Sequence, residues 1–164
     1  MHTRVVQIPH GPTLLVRPLA NGDVRTVRTV LGRLGPASLR ARFNGTKGCL
    51  SDRELAELAT VDASHHALVA FVEDDPEPIG LAGLVRAGRS AEVSFVVADS
   101  YQHRGIGTAL VDELFAVARA AGIAEVTALA ATENRAALAL IRHTADVVDV
   151  RLEGPELAIR AAIA

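Results

Sequence analysis

The sequence predicts a mixed α/β fold in which helices flank a mostly antiparallel sheet. Three stretches of strand character follow one another over residues 66–73, 79–86 and 91–98, and the short turns between them are typical of an antiparallel meander. Beyond them a strand, helix, strand unit leads toward the C-terminus, as in α/β folds. At 164 residues, we expect one domain over residues 1–164 with a single sizeable core.

The first part of the chain predicts one strand and two helices before the meander. Thr13–Arg17 favours a short strand. Capping residues at 21–23 precede apolar residues at helical spacing, which predicts a helix that ends at Gly35-Pro36. Ser51–Glu54 has the form of a capping box, because its hydroxyl and carboxylate can each satisfy the other's backbone amide. It predicts a short helix through residues 58–59.

The later part predicts alternating elements and a closing pair of strands. A turn is expected at residues 74–78, and a helix from near Arg104 to Gly122. The last strand is apolar enough to pair across a homodimer, but an intramolecular core explains it equally well. The remaining predicted elements are a strand at 124–131, a helix at 133–143 and strands at 146–154 and 156–163.

Composition and charge exclude several classes of function. The net charge of −2 gives no basic field for nucleic acid, and aromatic residues, at 3%, offer few platforms for stacking bases. No apolar run approaches the roughly 20 residues of a membrane-spanning helix, and the N-terminus lacks the apolar segment of a secretory signal. One cysteine, Cys49, and six histidines without ligand spacing argue against a metal site. We therefore expect a cytoplasmic protein with no metal, membrane or nucleic-acid partner.

The segment QHRGIGTAL, residues 102–110, places two glycines where a strand gives way to a helix. A P-loop would need a lysine after Gly107 and a dinucleotide fingerprint a third glycine at Leu110, and the sequence has neither. A third interpretation requires only that the amides of the turn, at the positive end of the helix, bind a pyrophosphate. His103 and Arg104 would then add positive charge. From the turn alone, a purely structural role is equally well supported.

The pattern Q-x-x-G-x-G, followed by Thr108 and an apolar helix, resembles the acetyl-CoA pyrophosphate loop of the GNAT superfamily of N-acetyltransferases. The strand before the loop, Asn134 in the later helix and the order of elements fit the same superfamily. The resemblance implies a GNAT-like acyl-CoA N-acyltransferase fold with acetyl-CoA as cosubstrate. Phe95 and Val97 would offer backbone groups to the pantetheine arm, and Asn134 would hydrogen-bond the arm or the backbone near the thioester. The residues implied in pyrophosphate binding are Gln102, His103, Arg104, Gly105, Ile106, Gly107 and Thr108.

Two positions bear on proton transfer, because acyl transfer to an amine needs a base for the ammonium and a proton for the leaving thiolate. Strand alternation puts Glu92 and Ser94 on the face opposite the apolar side chains. The position of Glu92 resembles that of the general-base glutamate in several lysine acetyltransferases of the superfamily. The alternative is a carboxylate that points into solvent or pairs with a surface arginine. Ile141 stands where many members have the tyrosine that protonates the thiolate. Either a water donates that proton or the reaction is slow.

Two segments, residues 38–45 and 50–73, resemble the acetyltransferase module of bacterial protein-lysine acetyltransferases that modify acyl-CoA synthetases. The resemblance implies a protein lysine as the acceptor, with an acyl-CoA synthetase as a candidate partner, and a small-molecule amine is the alternative. Arg40 and Arg42 either solvate a helix face or meet the acceptor or cofactor.

The sequence also leaves open the role of two histidines and two alternative functions. His65 and His66 either close a loop before a strand or act as bases. A non-catalytic acyl-CoA-binding sensor is the rival from outside enzymology, which Ile141 favours and Glu92 opposes. A dinucleotide-binding module has only the two glycines in its support.

Overall fold

The computed structural model describes residues 2–43 and 49–163, which form an eight-stranded sheet with helices on both faces. The strands are β1 (Arg4–Gln7), β2 (Thr13–Pro18), β3 (His65–Val72), β4 (Asp75–Ala87), β5 (Ser90–Val97), β6 (Glu125–Ala131), β7 (Val147–Glu153) and β8 (Glu156–Ala162). The α-helices are α1 (Val24–Gly32), α2 (Pro36–Phe43), α3 (Asp52–Leu58), α4 (Ile106–Ala120) and α5 (Arg135–Thr144). A single turn of 3-10 helix lies at Asp99–Tyr101.

The strand order across the sheet is β1-β2-β3-β4-β5-β6-β8-β7. Neighbouring strands are antiparallel except β5 and β6, which α4 joins as a crossover. A parallel pair requires such a crossover, since the chain must return to the same end of the sheet. The sheet is therefore mixed and mostly antiparallel, as predicted.

Two apolar clusters pack on opposite faces of the sheet. On β4, Leu81 belongs to the cluster with α1 and α3, whereas its neighbour Ala82 belongs to the cluster with α4. Helix α4 buries a stripe at helical spacing that includes Leu110, Leu114 and Phe115, each 0% exposed. Burying one such side chain contributes about 1.5–3 kcal/mol, so this stripe holds α4 firmly against the sheet.

Several local predictions are confirmed. Ser51 caps α3 in a complete capping box, with the Glu54 amide donating to the Ser51 hydroxyl and the Ser51 amide donating to the Glu54 carboxylate. β3, β4 and β5 form the predicted meander. β8 has strand neighbours on both sides, so its backbone pairs within the molecule rather than across a dimer.

Other local predictions are wrong. The predicted turn at 74–78 is a two-residue turn at 73–74, because Val72 pairs with Asp75 and a bulge absorbs the change of register. Helix α1 ends at Gly32, before the predicted Gly35. β1 and α2 are additional elements that no periodic apolar pattern indicates: β1 is a short, largely exposed edge strand, and α2 has no fully buried side chain.

None of the helices built from the described residues is long and apolar enough to cross a membrane. Over the same residues, no group of three or more His, Cys, Asp and Glu side chains is arranged to hold a metal ion.

Candidate active site

The sheet opens between β5 and β6. The two strands pair only from Ser90 opposite Glu125 to Glu92 opposite Thr127, although both continue for several residues. Beyond residue 92, the edge of β5 toward β6 has no strand partner in the described part of the chain. Its backbone groups therefore need another hydrogen-bonding partner, such as a ligand.

A cavity of about 450 Å³ occupies this opening, and we call it the central cavity. Its walls come from β5 and β6, from α2 and α5, and from the loop between β5 and α4. Its volume falls in the range of small-molecule and cofactor sites.

The loop at residues 102–108 has a backbone suited to an anion. His103 and Gly105 have φ angles of 60° and 80°, which turn the chain into α4. Gly105 is the N-cap of α4 and supplies no side-chain cap, and the first turn of the helix contains no acidic residue. The orphan amides of this turn, at the positive end of the helix, are therefore available to a phosphate.

The second glycine of the loop keeps space clear. A Cβ at Gly107 would lie 3.1 Å from Leu140 Cδ1 and 3.9 Å from Val97 Cγ2. A side chain here would press on α5 and enter the space beside the amides of the first turn. The loop thus fits a diphosphate by its backbone conformation and by its lack of side chains.

Asp99 and Gln102 tie this loop to α2. Asp99 accepts hydrogen bonds from the Gly35 amide at 2.9 Å and from the Ser38 hydroxyl at 2.7 Å. Gln102 Nε2 donates to the Val97 carbonyl at 3.0 Å and lies 3.2 Å from Asp99 Oδ1. Sequence reasoning missed Asp99, since its partners, Gly35 just before α2 and Ser38 within it, are more than sixty positions away in the chain.

The sequence model described as the Acetyltransferase (GNAT) family matches residues 38–144, which contain the opening, the loop, α5 and most of α2. The chain belongs to this family. It is a GNAT acetyltransferase, and family membership implies acetyl-CoA as cosubstrate and an amine as acceptor. The alternative of a dinucleotide-binding module is wrong.

Named relatives agree with this assignment. An acetyltransferase of Pseudomonas aeruginosa is 31% identical over 138 residues, which cover 80% of this chain and 74% of that protein. Acetyltransferase Pat of Mycolicibacterium smegmatis is 35% identical over 138 residues, which cover 80% of this chain but 40% of Pat. The crystal structure of the GNAT domain of S. lividans PAT superposes with a TM-score of 0.87 at 23% identity, over 98% of this chain and 96% of that one. This likeness confirms the predicted GNAT fold.

Most of the predicted binding residues of this GNAT chain line the central cavity. Ile106 and Arg104 do not: Ile106 is 1% exposed in the core, and the Arg104 guanidinium lies over the Tyr101 ring at 5.3 Å. The predicted residues that line the cavity are Phe95, Val97, Gln102, His103, Gly105, Gly107, Thr108 and Asn134.

Asn134 serves as the N-cap of α5. Its Oδ1 accepts a hydrogen bond from the Ala137 amide at 3.2 Å, as expected of an asparagine at this position. The cap fixes the side chain at the cavity wall with its Nδ2 as the remaining donor.

Glu92 lies on β5 next to the opening but outside the lining of the central cavity, and it is exposed. It shares a face of β5 with Ser94, which does line the cavity. This is the face that packs toward α1 and α3, since Val96 belongs to their cluster. The opposite face, with Val97, packs toward α4.

The structure contains no phenol at the position where GNAT members often have one. Ile141 is 1% exposed and lines the cavity. Tyr101 is outside the lining, and its hydroxyl donates to Asp75 Oδ2 at 2.8 Å, a bond that raises the pKa of the phenol. The Arg33 guanidinium contacts the same carboxylate oxygen at 2.6 Å, and this ion pair lowers the pKa of Asp75 to about 2. Tyr101 therefore ties the start of the loop to β4 and does not line the cavity.

The structure distinguishes between the alternative roles of Arg40 and Arg42 and of His65 and His66. Arg42 lines the cavity, whereas Arg40 is exposed outside it. His65 Nδ1 lies 2.9 Å from Asp62 Oδ1 in the turn before β3, and neither His65 nor His66 lines the cavity. His65 and His66 are the first two residues of β3, and the contact with Asp62 ties His65 to the preceding turn.

Proposed function

We propose that this GNAT enzyme transfers an acetyl group from acetyl-CoA to a protein lysine by direct attack, with Glu92 as general base. The observation that supports this most is the opening between β5 and β6. At this opening, the amides of the first turn of α4, which no side chain caps, lie on one face of the sheet, and Glu92 and Ser94 lie on the other face. A cosubstrate and an acceptor can therefore approach each other from opposite faces of the sheet.

The binding half of the site uses backbone groups. The amides of residues 102–108 hold the pyrophosphate, and the unpaired edge of β5 at Phe95 and Val97 binds the pantetheine arm. Gln102 occupies one lone pair of the Val97 carbonyl, which fixes the end of the strand. Asn134 Nδ2 donates to the arm or to the backbone near the thioester. Such a site orients the thioester without needing a charged side chain beside it.

The chemical half requires a proton to leave the acceptor ammonium. Residues two apart on a strand are separated by about 7 Å, so Glu92 reaches an amine beside Ser94 through water. The carboxylate takes the proton, the amine nitrogen attacks the thioester carbonyl carbon, and a C–N bond forms as the C–S bond breaks. Water carries the second proton of the attacking nitrogen to the departing thiolate, because Ile141 has none to give, and the products are a neutral amide and the thiol of CoA.

The relatives support a protein as the acceptor. Acetyltransferase Pat matches 80% of this chain, and the GNAT domain of PAT superposes over nearly all of it. A lysine of an acyl-CoA synthetase is the acceptor that the sequence resemblance implies. A small-molecule amine is the alternative acceptor.

Replacement of Glu92 tests the base. We expect Glu92→Gln to lower kcat by about 100-fold or more, the range of a lost general base, and to leave acetyl-CoA affinity unchanged in calorimetry. Glu153→Gln is the matched control, since Glu153 is an exposed carboxylate on β7 away from the cavity. Equal turnover by the wild type and Glu92→Gln would show that the base assignment is wrong.

The acceptor is tested by thiol release from acetyl-CoA in the presence of an unacetylated acyl-CoA synthetase. The control is the same synthetase after chemical acetylation of its lysines. Release that depends on the free lysines supports a protein acceptor. Release only with a panel of small amines would contradict it.

A further inference from the structure

Arg42 occupies a place in the central cavity that acetyl-CoA binding does not explain. It lies in the last turn of α2, and with Ser94 and Val96 it also lines a small hollow beside the cavity. This is the face of β5 that carries Glu92, opposite the face that packs toward α4. Arg42 is therefore on the side from which the acceptor approaches.

Arg42 lies far from the loop of residues 102–108, which holds the diphosphate in the proposed function. Ser38, one turn earlier in α2, lies 3.3 Å from Gln102 at the start of the loop. Arg42 lies about 6 Å further along the helix and beside Ser94, about 10 Å down the strand from Val97. The diphosphate of acetyl-CoA is thus a poor partner for this guanidinium, and the pantetheine arm and thioester are uncharged.

The guanidinium of Arg42 has no hydrogen bond or ion pair with any residue in 2–43 or 49–163. The guanidinium lies over the Phe43 ring, 4.8 Å from the ring centre. Burial lowers the pKa of Arg42, and attraction to the more distant Glu92 carboxylate opposes this effect. A half-buried cation without a partner is destabilising unless a ligand supplies the missing anion.

The charges of the residues that line the cavity also favour an anionic group as the partner of Arg42. In the described part of the chain its ionisable side chains are Arg42, His103 and His143, and no carboxylate lines it. His103 lies in the loop of residues 102–108 and His143 lies in α5, whereas Arg42 lies on the side of the face of β5 that carries Glu92, so Arg42 is the cation at the acceptor side. Arg42 would repel an acceptor whose only charge is the lysine ammonium. A carboxylate next to that lysine would instead pair with the Arg42 guanidinium.

Resting on the proposed function, we infer that Arg42 binds a carboxylate of the acceptor, so that the preferred acceptor lysine lies next to an aspartate or glutamate. Arg42 would be a specificity-determining residue. Its planar guanidinium can bind a carboxylate through two parallel hydrogen bonds, which a lysine at this position could not do.

The test uses two blocked peptides, Ala-Glu-Lys-Glu-Ala and Ala-Gln-Lys-Gln-Ala. For the wild type we expect the kcat/KM ratio of the glutamate peptide to the glutamine peptide to be about 10 or more, as for a charge-assisted hydrogen bond. Arg42→Gln should bring the ratio to about 1, and Arg42→Glu should invert it. Arg40→Gln, an exposed arginine on the same helix, should keep the wild-type ratio. Free glutamate and free lysine as acceptors distinguish a small amino acid from a peptide as the source of the carboxylate.

Two further readouts separate this inference from the proposed function. Peptide affinity is measured by fluorescence with CoA bound, and acetyl-CoA affinity by calorimetry. If the wild type binds the glutamate peptide better, Arg42→Gln does not, and neither peptide is acetylated, the inference stands and the proposed function fails. A wild-type ratio of 1, an unchanged ratio in Arg42→Gln, or weaker acetyl-CoA binding by Arg42→Gln overturns the inference, even if lysine is acetylated.

Discussion

Gly105→Ala tests whether the loop amides bind the diphosphate. Gly105 has a φ angle of 80°, and a Cβ added there would lie 2.9 Å from Ile8 Cγ2. The left-handed conformation costs an L-residue about 1–2 kcal/mol. The variant can relieve this strain only by moving the loop out of its binding conformation. Because 1.4 kcal/mol corresponds to a factor of ten, we expect acetyl-CoA affinity to fall by about 5–30-fold.

Gly122→Ala is the matched control. Gly122 follows the other end of α4 with a φ angle of 73°, and a Cβ there would meet nothing within 4 Å. Urea unfolding should show a loss of about 1–2 kcal/mol in Gly122→Ala and a smaller loss in Gly105→Ala, whose loop relieves the strain by moving, whereas calorimetry should show weaker acetyl-CoA binding in Gly105→Ala alone. If Gly105→Ala is destabilised less than Gly122→Ala but binds acetyl-CoA like the wild type, the loop amides do not hold the diphosphate.

Two other predictions concern side chains around the loop. Asp99→Ala leaves the Gly35 amide and the Ser38 hydroxyl without their acceptor; we expect about 1 kcal/mol less stability to urea and a higher KM for the acceptor, and an unchanged KM would show that α2 does not depend on this contact. Asp75→Asn removes the ion pair with Arg33, which keeps the pKa of Asp75 at about 2 against an ordinary value of 3.8. Because the folded-state pKa is lowered, the pair stabilises above pH 4 and its effect is lost as the pH falls through 2. The difference in melting temperature between the wild type and Asp75→Asn should thus be constant from pH 7 to about pH 5 and shrink between pH 4 and pH 2, and a difference as large at pH 2 as at pH 7 would contradict this account.

The features predicted well from the sequence are those determined by neighbours in the chain. The capping box of Ser51 and Glu54 involves residues three positions apart, and the structure contains it as predicted. The loop of residues 102–108 depends on glycine conformation and on a helix that starts directly after it, which are also local. The family resemblance rested on this loop and on the strand before it, and the family match confirms it.

The features missed depend on contacts between distant segments. The sequences of β5 and β6 do not show where their pairing stops. Both strands continue with strand-like residues past the last pair, Glu92 and Thr127. Helix α2 has no buried side chain and hence no apolar period to reveal it. Strand alternation places Glu92 and Ser94 on one face, but it does not show that Ser94 lines the cavity while Glu92 remains outside.

The chain has a carboxylate, Glu92, as the proposed base, but Ile141 in place of a tyrosine acid. This combination is consistent with the chemistry of acyl transfer. A lysine ammonium has an ordinary pKa of about 10.4, so only about one lysine in a thousand is neutral at pH 7.4 without a base. A thiol has an ordinary pKa of about 8.5, so the thiolate leaves readily and water can protonate it afterwards. Loss of a base therefore slows the proposed reaction far more than loss of an acid. A chain with Ile141 buried in the cavity wall and Tyr101 committed to Asp75 can still catalyse the transfer, provided that a carboxylate such as Glu92 takes the first proton.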